Sequence, residues 1–147
     1  MNNSQKIKFK IVTPEKTVFD EEVLQATLPV TDGEVTILPN HRSYIASLKA
    51  GEVCLKLEKG NDVCMAISGG FIEFNDNVLV VLADTAERAE EIDLTRAEEA
   101  RKRAEELKKE KIEDDSEYAR VAASIEKEMA RIRVARKHRT QHGMHLN

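Results

Sequence analysis

The chain has 147 residues, of which 41% are hydrophobic and 34% are charged, with a formal net charge of −4. This length fits one ordinary domain or a small domain with an appendage, and the negative charge disfavours attraction to nucleic acid or an anionic membrane surface. No apolar run approaches the ~20 residues that span a bilayer, and the first residues lack the apolar stretch of a signal peptide.

The first half of the chain predicts β-strands. Residues 6–11 alternate between polar and apolar side chains, as do residues 53–57 and 63–67 on either side of a turn, which predicts a hairpin. Residues 78–83 are all apolar without alternation, which predicts a strand covered on both faces. Turn residues recur between these segments, so we predict a sandwich or flattened barrel of short strands.

The two cysteines, Cys54 and Cys64, lie in the predicted hairpin. Two residues are too few for a disulfide framework or a zinc site, which would need more ligands at closer spacing. We therefore predict free thiols and a reducing, cytosol-facing compartment, with no metal.

The composition changes abruptly after residue 86. From residue 87 to the end, 30 of 61 positions are charged and no proline occurs. We therefore predict two domains, a β-sandwich over residues 1–86 and a helical hairpin over residues 87–147. Residues 87–111 predict the first helix; its narrow, alanine-rich stripe consists of Leu94, Ala97, Ala104, Leu107 and Lys111.

A second helix is predicted after acidic cap candidates at residues 113–116. Its apolar residues follow the 4-3-4-3 spacing of a coiled-coil seam: Tyr118, Ala122, Ile125, Met129 and Ile132. The short connector predicts an antiparallel hairpin, so the fold class is α+β, an N-terminal all-β sandwich followed by a C-terminal antiparallel two-helix hairpin. Because an alanine-rich seam buries little area, we expect the hairpin to be able to leave its docked position.

Three segments carry a resemblance to a known family. They are Gly33–His41 (GEVTILPNH), Ser68–Phe74 (SGGFIEF), and Leu82–Ala89 (LADTAERA) followed by Ile92–Ala97 (IDLTRA). In this order, across the boundary between strands and helices, they resemble the epsilon subunit of bacterial F-type, proton-translocating ATP synthases. The sequence departs from the family pattern at Thr36 and Asn40, where glycine is usual. Asn40 tolerates a positive φ and preserves the turn, whereas a β-branched Thr36 does not favour one.

The resemblance implies a non-catalytic subunit of the central stalk that couples the c-ring to the catalytic head. The implied partners are the gamma subunit, the c-ring and the alpha/beta head, and contact with the membrane is made only through the complex, at the cytoplasmic face of the bacterial plasma membrane. The hairpin is implied to inhibit ATP hydrolysis and to sense ATP. No cofactor is obligatory, and ATP is the implied regulatory ligand.

The same resemblance implies three groups of site residues. The loop that meets the c-ring contains Glu34 and His41. The helix that enters the catalytic head carries Arg131, Arg133, Arg136 and Arg139. The residues implied to bind ATP are Glu87, Ile92, Asp93, Arg96, Ala97, Arg103 and, by alignment alone, Arg131.

Ordinary structural roles compete with these assignments. Asp93 suits a helix N-cap, Arg96 and Arg103 suit ion pairs with neighbouring helix glutamates, and a cationic helix end complements the helix dipole. Glu34 and His41 equally suit a solvated surface loop.

Two other classes of function stay open from the residues alone. A nucleic-acid-binding module would use the basic last helix, but Tyr118 is its one aromatic residue and stacking platforms need several. An enzyme would need a site that no phosphate-loop or nucleophile motif indicates. The tail histidines, His138, His142 and His145, lack nearby carboxylates or thiolates for a metal site.

Overall fold

The computed structural model describes residues 5–60, 62–110 and 112–143 of the chain. It contains eight strands, then a 3₁₀ turn and two α-helices, so the predicted fold class is confirmed. The predicted positions Lys111 and His145 lie outside the described residues. The elements are β1 (Ile7–Val12), β2 (Thr17–Val23), β3 (Gln25–Val30), β4 (Gly33–Ile37), β5 (Tyr44–Lys56), β6 (Asp62–Asn75), β7 (Val78–Ala83), β8 (Ala86–Arg88), the turn Ala89–Glu91, α1 (Leu94–Lys109) and α2 (Asp115–Gln141).

The strands follow the order β2-β1-β7-β6-β5-β3-β4, and β8 pairs with β6. The long strands β5 and β6 run through both layers of the sandwich: the first half of β6 pairs with β8, and its second half pairs with β7. Gly69 and Gly70 stand at the crossing, with φ of 128° and 133°. A side chain at Gly70 would clash with the carbonyl oxygen of Leu82, so glycine is required there.

The glycine pair reverses which side of β6 faces the core. Before it Met65 and Ile67 point inward, and after it Ile72 and Phe74 do so, each being at most 1% exposed. These residues join the inward faces of β1, β5 and β7 in one large apolar core. The predicted alternation of β1 is confirmed, since Ile7, Phe9 and Ile11 are buried and the two lysines between them are exposed.

The prediction that β7 is covered on both faces is wrong. Its inward residues are buried, but Leu82 is 55% exposed and Val78 is 40% exposed on the outer face. An uninterrupted apolar run therefore does not mean burial here, because no element of the described chain covers that side of the sheet.

The prediction of free thiols is also wrong. In the antiparallel pairing of β5 with β6, Cys54 lies directly opposite Cys64, with their Cα atoms 4.3 Å apart, and the two form a disulfide. This is the separation of a closely spaced cross-strand pair. Counting cysteines missed the bond because it depends on strand register.

The helix α1 begins at Leu94, later than predicted, because the Asp93 side chain accepts a hydrogen bond from the backbone N–H of Arg96 and caps it. The strand β8 and the 3₁₀ turn occupy the first part of the predicted helix. The hairpin is antiparallel, since Lys108 lies over the Tyr118 ring near the connector while Arg136 binds Glu98 near the opposite end.

The predicted apolar stripes are confirmed only in part. Leu94, Ala97 and Ala104 of α1 are buried, but Leu107 is half exposed. In α2, Ile125 and Ile132 are buried, whereas the predicted seam residues Tyr118 and Met129 are 45% and 38% exposed. The second half of α2 packs against the outer faces of β5 and β6 as well as against α1, so its buried positions are not those of a two-helix seam.

A second apolar cluster, which we call the hairpin dock, joins the helices to the sandwich. It consists of small or branched side chains: Ala66, Ala89, Ile92, Leu94, Ala97, Ile132, Val134 and Ala135, with Cys64 packed against it. It contains no aromatic residue, in contrast to the main core. Neither helix in the described part of the chain combines the length and apolar character needed to cross a lipid bilayer.

Candidate functional site

A polar cleft of about 430 Å³ opens where the β8–α1 junction faces α2. Its lining residues are Glu87, Glu91, Asp93, Arg96, Glu99, Ala100, Arg103 and Arg131. The structure thus brings together five of the seven residues implied to bind ATP, although they are up to 44 positions apart in sequence. The volume lies within the range of about 300–1,000 Å³ that small-molecule sites occupy.

Arg131 is the central cation at the back of the cleft. Its Nε and Nη2 atoms donate to the two carboxylate oxygens of Glu87 at 2.7 and 3.1 Å, and its Nη1 donates to Glu128 at 2.8 Å. The hydrogen bonds with Glu87, and then with Glu128, raise the pKa of Arg131 above its usual value in spite of partial burial. We call Glu87, Glu128 and Arg131 the docking clasp, because they tie α2 to β8.

The other two arginines of the cleft are differently placed. Arg96 and Arg103 are exposed, and neither side chain forms an ion pair with a carboxylate among the described residues. They lie seven positions apart, on nearly the same face of α1. Two unengaged guanidinium groups on one side of a cleft are suited to bidentate contacts with phosphate oxygens.

Asp93 has a structural role within the cleft as the N-cap of α1. One carboxylate oxygen accepts the Arg96 backbone N–H at 3.1 Å, which leaves the second oxygen available. Glu87 binds Arg131, so both acidic residues fix the positions of the elements that line the cleft. A base amino group or a ribose hydroxyl is the type of donor that the remaining carboxylate oxygens would accept.

Ile92 and Ala97 do not line the cleft. They are 7% and 0% exposed and belong to the hairpin dock, where they press the start of α1 against α2. Their contribution to any ligand site is to position two adjacent polar residues. Asp93 directly follows Ile92, and Arg96 directly precedes Ala97.

Sequence reasoning missed four residues of the site. Glu91, Glu99 and Ala100 line the cleft, and Glu128 is a buried carboxylate behind it. The spacing of Glu128 three positions before Arg131 is the signal that identifies it, because such residues are neighbours on a helix.

The four arginines implied to meet the catalytic head are not equally available in this state. Arg131 is held in the docking clasp and Arg136 donates to Glu98 at 2.8 Å. Arg133 is exposed and Arg139 is half-buried. Two of the four are therefore occupied by contacts within the chain when the hairpin is docked.

Glu34 and His41 lie at opposite ends of β4. Glu34 is exposed near the start of the strand, opposite Pro29. His41 follows its end, where the imidazole packs edge-on against Tyr44 and Phe74 and its Nδ1 lies 2.8 Å from the Arg42 carbonyl oxygen. The structure therefore does not join them in one site.

The two departures from the family loop pattern have different outcomes. Asn40 has φ of 65°, and its backbone N–H donates to Asn77 Oδ1 at 2.6 Å, which fixes the turn. Thr36 is not among the residues with positive φ; it lies within β4, and its hydroxyl is 3.0 Å from that of Thr27. The structure thus needs no glycine at position 36.

A further surface stands out on the outer face of the layer that α2 does not cover. Phe71 on β6 lies opposite Leu82 on β7, and Ile45 on β5 lies nearby. These side chains are 60%, 55% and 75% exposed. We call Ile45, Phe71 and Leu82 the outer patch. Adjacent exposed apolar side chains of this size make this face a candidate contact surface for another protein.

Two family models match the chain. The beta-sandwich domain of the ATP synthase delta/epsilon chain matches residues 6–89, and the long alpha-helix domain of the same chain matches residues 90–136. Among similar proteins, the ATP synthase epsilon chain of Dehalococcoides mccartyi is 44% identical over 91% of this chain and 95% of its own length. The ATP synthase epsilon chain of Pediococcus pentosaceus is 39% identical over 92% and 99%.

Two solved assemblies contain chains of the same fold. One, in the mitochondrial ATP synthase of Euglena gracilis (OSCP/F1/c-ring), matches with a TM-score of 0.75 at 21% identity, over 95% of this chain and 82% of that one. The other, in the central stalk and c-ring of the Tetrahymena thermophila mitochondrial ATP synthase, has a TM-score of 0.57 at 16% identity, over 92% and 97%.

Proposed function

The chain belongs to the ATP synthase delta/epsilon family, as an epsilon chain of the bacterial F-type, and on that premise we propose how its surfaces serve the enzyme. It is a non-catalytic subunit of the central stalk that couples the c-ring to the catalytic alpha/beta head. It acts at the cytoplasmic face of the plasma membrane, which it meets only through the complex. Its hairpin regulates ATP hydrolysis and responds to ATP.

The observation that supports attachment to the stalk is the outer patch. Phe71 and Leu82 lie side by side on β6 and β7 and remain more than half exposed. Full burial of each side chain in an interface would contribute about 1.5–3 kcal/mol to the free energy of association. The gamma subunit is the partner that this surface fits, because a permanent contact between rotating subunits requires apolar burial.

The stalk contact can be tested by co-purification. A Phe71→Ser, Leu82→Ser double variant should lose most of its association with the gamma subunit, while its thermal unfolding changes little because both residues are exposed. A Lys8→Ser, Lys10→Ser variant, altered at two exposed positions of β1, is the matched control. Undiminished recovery of gamma with the first variant would contradict this assignment.

For the c-ring, Glu34 and His41 offer two separate contact points rather than one cluster. Each lies at an end of β4 and can form charge-assisted hydrogen bonds with polar loops. Single substitutions should therefore weaken coupling independently. Strongly non-additive effects of Glu34→Gln and His41→Gln on coupled proton pumping would contradict two separate contacts.

Regulation follows from mutual exclusion between two states of the hairpin. The docked state engages Arg131 with Glu87 and Arg136 with Glu98. An extended state releases these arginines, which together with Arg133 and Arg139 form a basic face for acidic residues of the head. A ligand that favours the docked state therefore withdraws the inhibitory helix.

ATP is the ligand that the cleft suits. Arg96 and Arg103 supply unengaged cations for the phosphates, and the remaining oxygen of Asp93 accepts from the base or ribose. Glu87 and Arg131 connect this site to α2, so occupancy of the cleft and docking of the hairpin are linked.

Calorimetry on the isolated chain tests the ATP site. An Arg96→Ala, Arg103→Ala variant should bind ATP at least about tenfold more weakly, since each removes a charge-assisted hydrogen bond. Lys102→Ala, which removes an exposed cation between them on α1, should leave the affinity within about twofold. Equal affinities in all three proteins would remove the sensor role without affecting the stalk assignment.

A further inference from the structure

The disulfide between Cys54 and Cys64 lies on the outer face of β5 and β6, under the last turns of α2. Both residues are half-buried, and Cys64 packs against the hairpin dock. The bond is thus part of the surface on which α2 rests, and it is separate from the polar cleft and from the outer patch.

One contact links this bond directly to α2. Lys137 Nζ donates to Glu52 Oε1 at 2.7 Å and lies 3.7 Å from Cys54 Sγ. The Cys54 sulfur is itself 2.8 Å from that same Glu52 oxygen. Lys137, Glu52 and Cys54 are therefore in mutual contact. A chemical change at the Cys54 sulfur alters the hydrogen bond between the Glu52 carboxylate and Lys137 of α2.

We propose that Cys54 and Cys64 form a thiol–disulfide exchange site whose oxidation state sets how tightly the end of α2 docks. The exchange partner is a low-molecular-weight thiol. Two molecules of this thiol reduce the bond in two steps through a mixed disulfide. The products are two cysteine thiols and one small-molecule disulfide, and the protons of the two small thiols end on the cysteines.

A path for the small thiol exists beside the bond. A cavity of about 580 Å³ is lined by Cys64, by Gly60 of the β5–β6 turn and by Lys137 and His138 of α2. The volume is sufficient for a tripeptide-sized molecule. Because α2 forms one wall, detachment of the hairpin widens the access.

The oxidised state favours docking for two reasons. A disulfide sulfur carries no proton and cannot donate a hydrogen bond. Of Lys137 and Cys54, only Lys137 therefore donates to the Glu52 oxygen that both contact. On reduction, the Cys54 thiol becomes a second donor to the neighbouring Glu52 oxygen and shares that oxygen with Lys137. The bond also fixes the Cys64 side chain against the hairpin dock, and reduction frees its rotation.

A metal site is the other use of these residues, because Glu52, Cys54 and Cys64 hold ligand atoms within 4.8 Å of one another. The Lys137 ammonium group, 2.7 Å from the carboxylate, repels a cation at this position. The arrangement therefore favours reversible oxidation over metal binding.

The test uses the full-length chain in glutathione buffers. In excess oxidised glutathione, alkylation and mass spectrometry should find Cys54 bonded to Cys64, and in excess reduced glutathione both should be alkylated. In the reduced buffer, hydrogen exchange of the α2 amides after Ile132 should be about five- to tenfold faster, while β1 amides stay unchanged. Equal α2 exchange in the two buffers, or absence of the intramolecular bond in the oxidised one, would overturn the proposal.

Substitutions at the cysteines and at Lys137 distinguish an effect of the disulfide on α2 docking from a general destabilisation of the hairpin by the buffer. The Cys54→Ala, Cys64→Ala chain has neither the bond nor a thiol donor, so its α2 exchange should be the same in both buffers. Lys137→Met should lose most of the difference between buffers, whereas Arg133→Met, at an exposed position of the same helix, should retain it. A zinc-dependent slowing of α2 exchange in the reduced buffer would overturn the proposal in favour of a metal site.

Discussion

The sandwich and the hairpin are held by different forces. In the sandwich, Phe9, Phe74 and Leu28 are at most 1% exposed and belong to one continuous apolar core. The hairpin rests on alanines and a few branched residues, supplemented by ion pairs such as those of Arg131 and Lys137. Area burial gives the first region its stability, and the second depends more on small apolar contacts and ion pairs, from which we expect weaker attachment.

The difference also appears on the two outer faces of the sandwich. The hairpin covers one of them, at Cys64 and Ala66 of β6. The other presents the outer patch of Ile45, Phe71 and Leu82 to solvent. One face therefore packs against the helical hairpin of the same chain, and the other exposes apolar side chains to solvent.

The largest effect should come from the sandwich core. Phe74→Ala removes a fully buried ring and should lower the free energy of unfolding by about 3–5 kcal/mol. Chemical denaturation followed by circular dichroism measures this. Phe71→Ala, three positions earlier but 60% exposed, should change it by less than ~0.5 kcal/mol. Similar losses in both variants would mean that the outer patch is structural.

A smaller and more local effect is expected in the hairpin dock. Ala97 is 0% exposed, so Ala97→Leu overpacks the contact between α1 and α2 and should cost about 1–3 kcal/mol of docking. Trypsin should then cleave within α2 several-fold faster, while the sandwich resists. In the control variant Ala119→Leu, changed at an exposed position of α2, trypsin should cleave at the original rate. Loss of protease resistance throughout the Ala97→Leu chain would contradict independent stability of the hairpin and the sandwich.

The docking clasp should show an asymmetry between its partners. Arg131→Met leaves the buried Glu128 without its cation and should weaken docking by about 1–2 kcal/mol. Glu87→Gln leaves Arg131 paired with Glu128 and should cost less than half of that. Tryptic cleavage rates of α2 at low and high salt provide the measurement, and equal effects of the two substitutions would contradict the role given to Glu128.

The smallest effect is expected at the exposed pair between Arg136 and Glu98. Their side chains are 55% and 43% exposed, so Arg136→Ala should alter docking in the isolated chain by at most ~0.5 kcal/mol. In the assembled enzyme the same change should relieve inhibition, if Arg136 meets the head. An ATPase assay of reconstituted enzyme, compared with the isolated-chain measurement, distinguishes the two roles.

The sequence predicted well the features that depend on local pattern. The alternation of Ile7, Phe9 and Ile11 identified the inward face of β1. Composition placed the change from strands to helices near residue 86, a few residues before β8 ends at Arg88 and α1 begins at Leu94. Seven of the eight residues that line the polar cleft lie between Glu87 and Arg103, so a short segment of sequence already indicated several of them, whereas Arg131 comes from α2.

The features that sequence did not predict depend on tertiary packing. The outer face of β7 is exposed although its residues are apolar, since nothing in the described chain covers Leu82. Met129 follows the coiled-coil spacing but faces solvent, because the second half of α2 packs against the sheet as well as against α1. The bond between Cys54 and Cys64 required the register of β5 and β6, which spacing does not give.

We expect that the hairpin can leave a sandwich that stays folded. Native-state hydrogen exchange across a range of low denaturant concentrations tests it most directly. We expect the amides of α2 to exchange through an opening with a lower free energy and a smaller denaturant dependence than those of β5 and β6. If α2, β5 and β6 shared one opening free energy and one denaturant dependence, the hairpin would unfold only with the sandwich, and a detachable regulatory element would be ruled out.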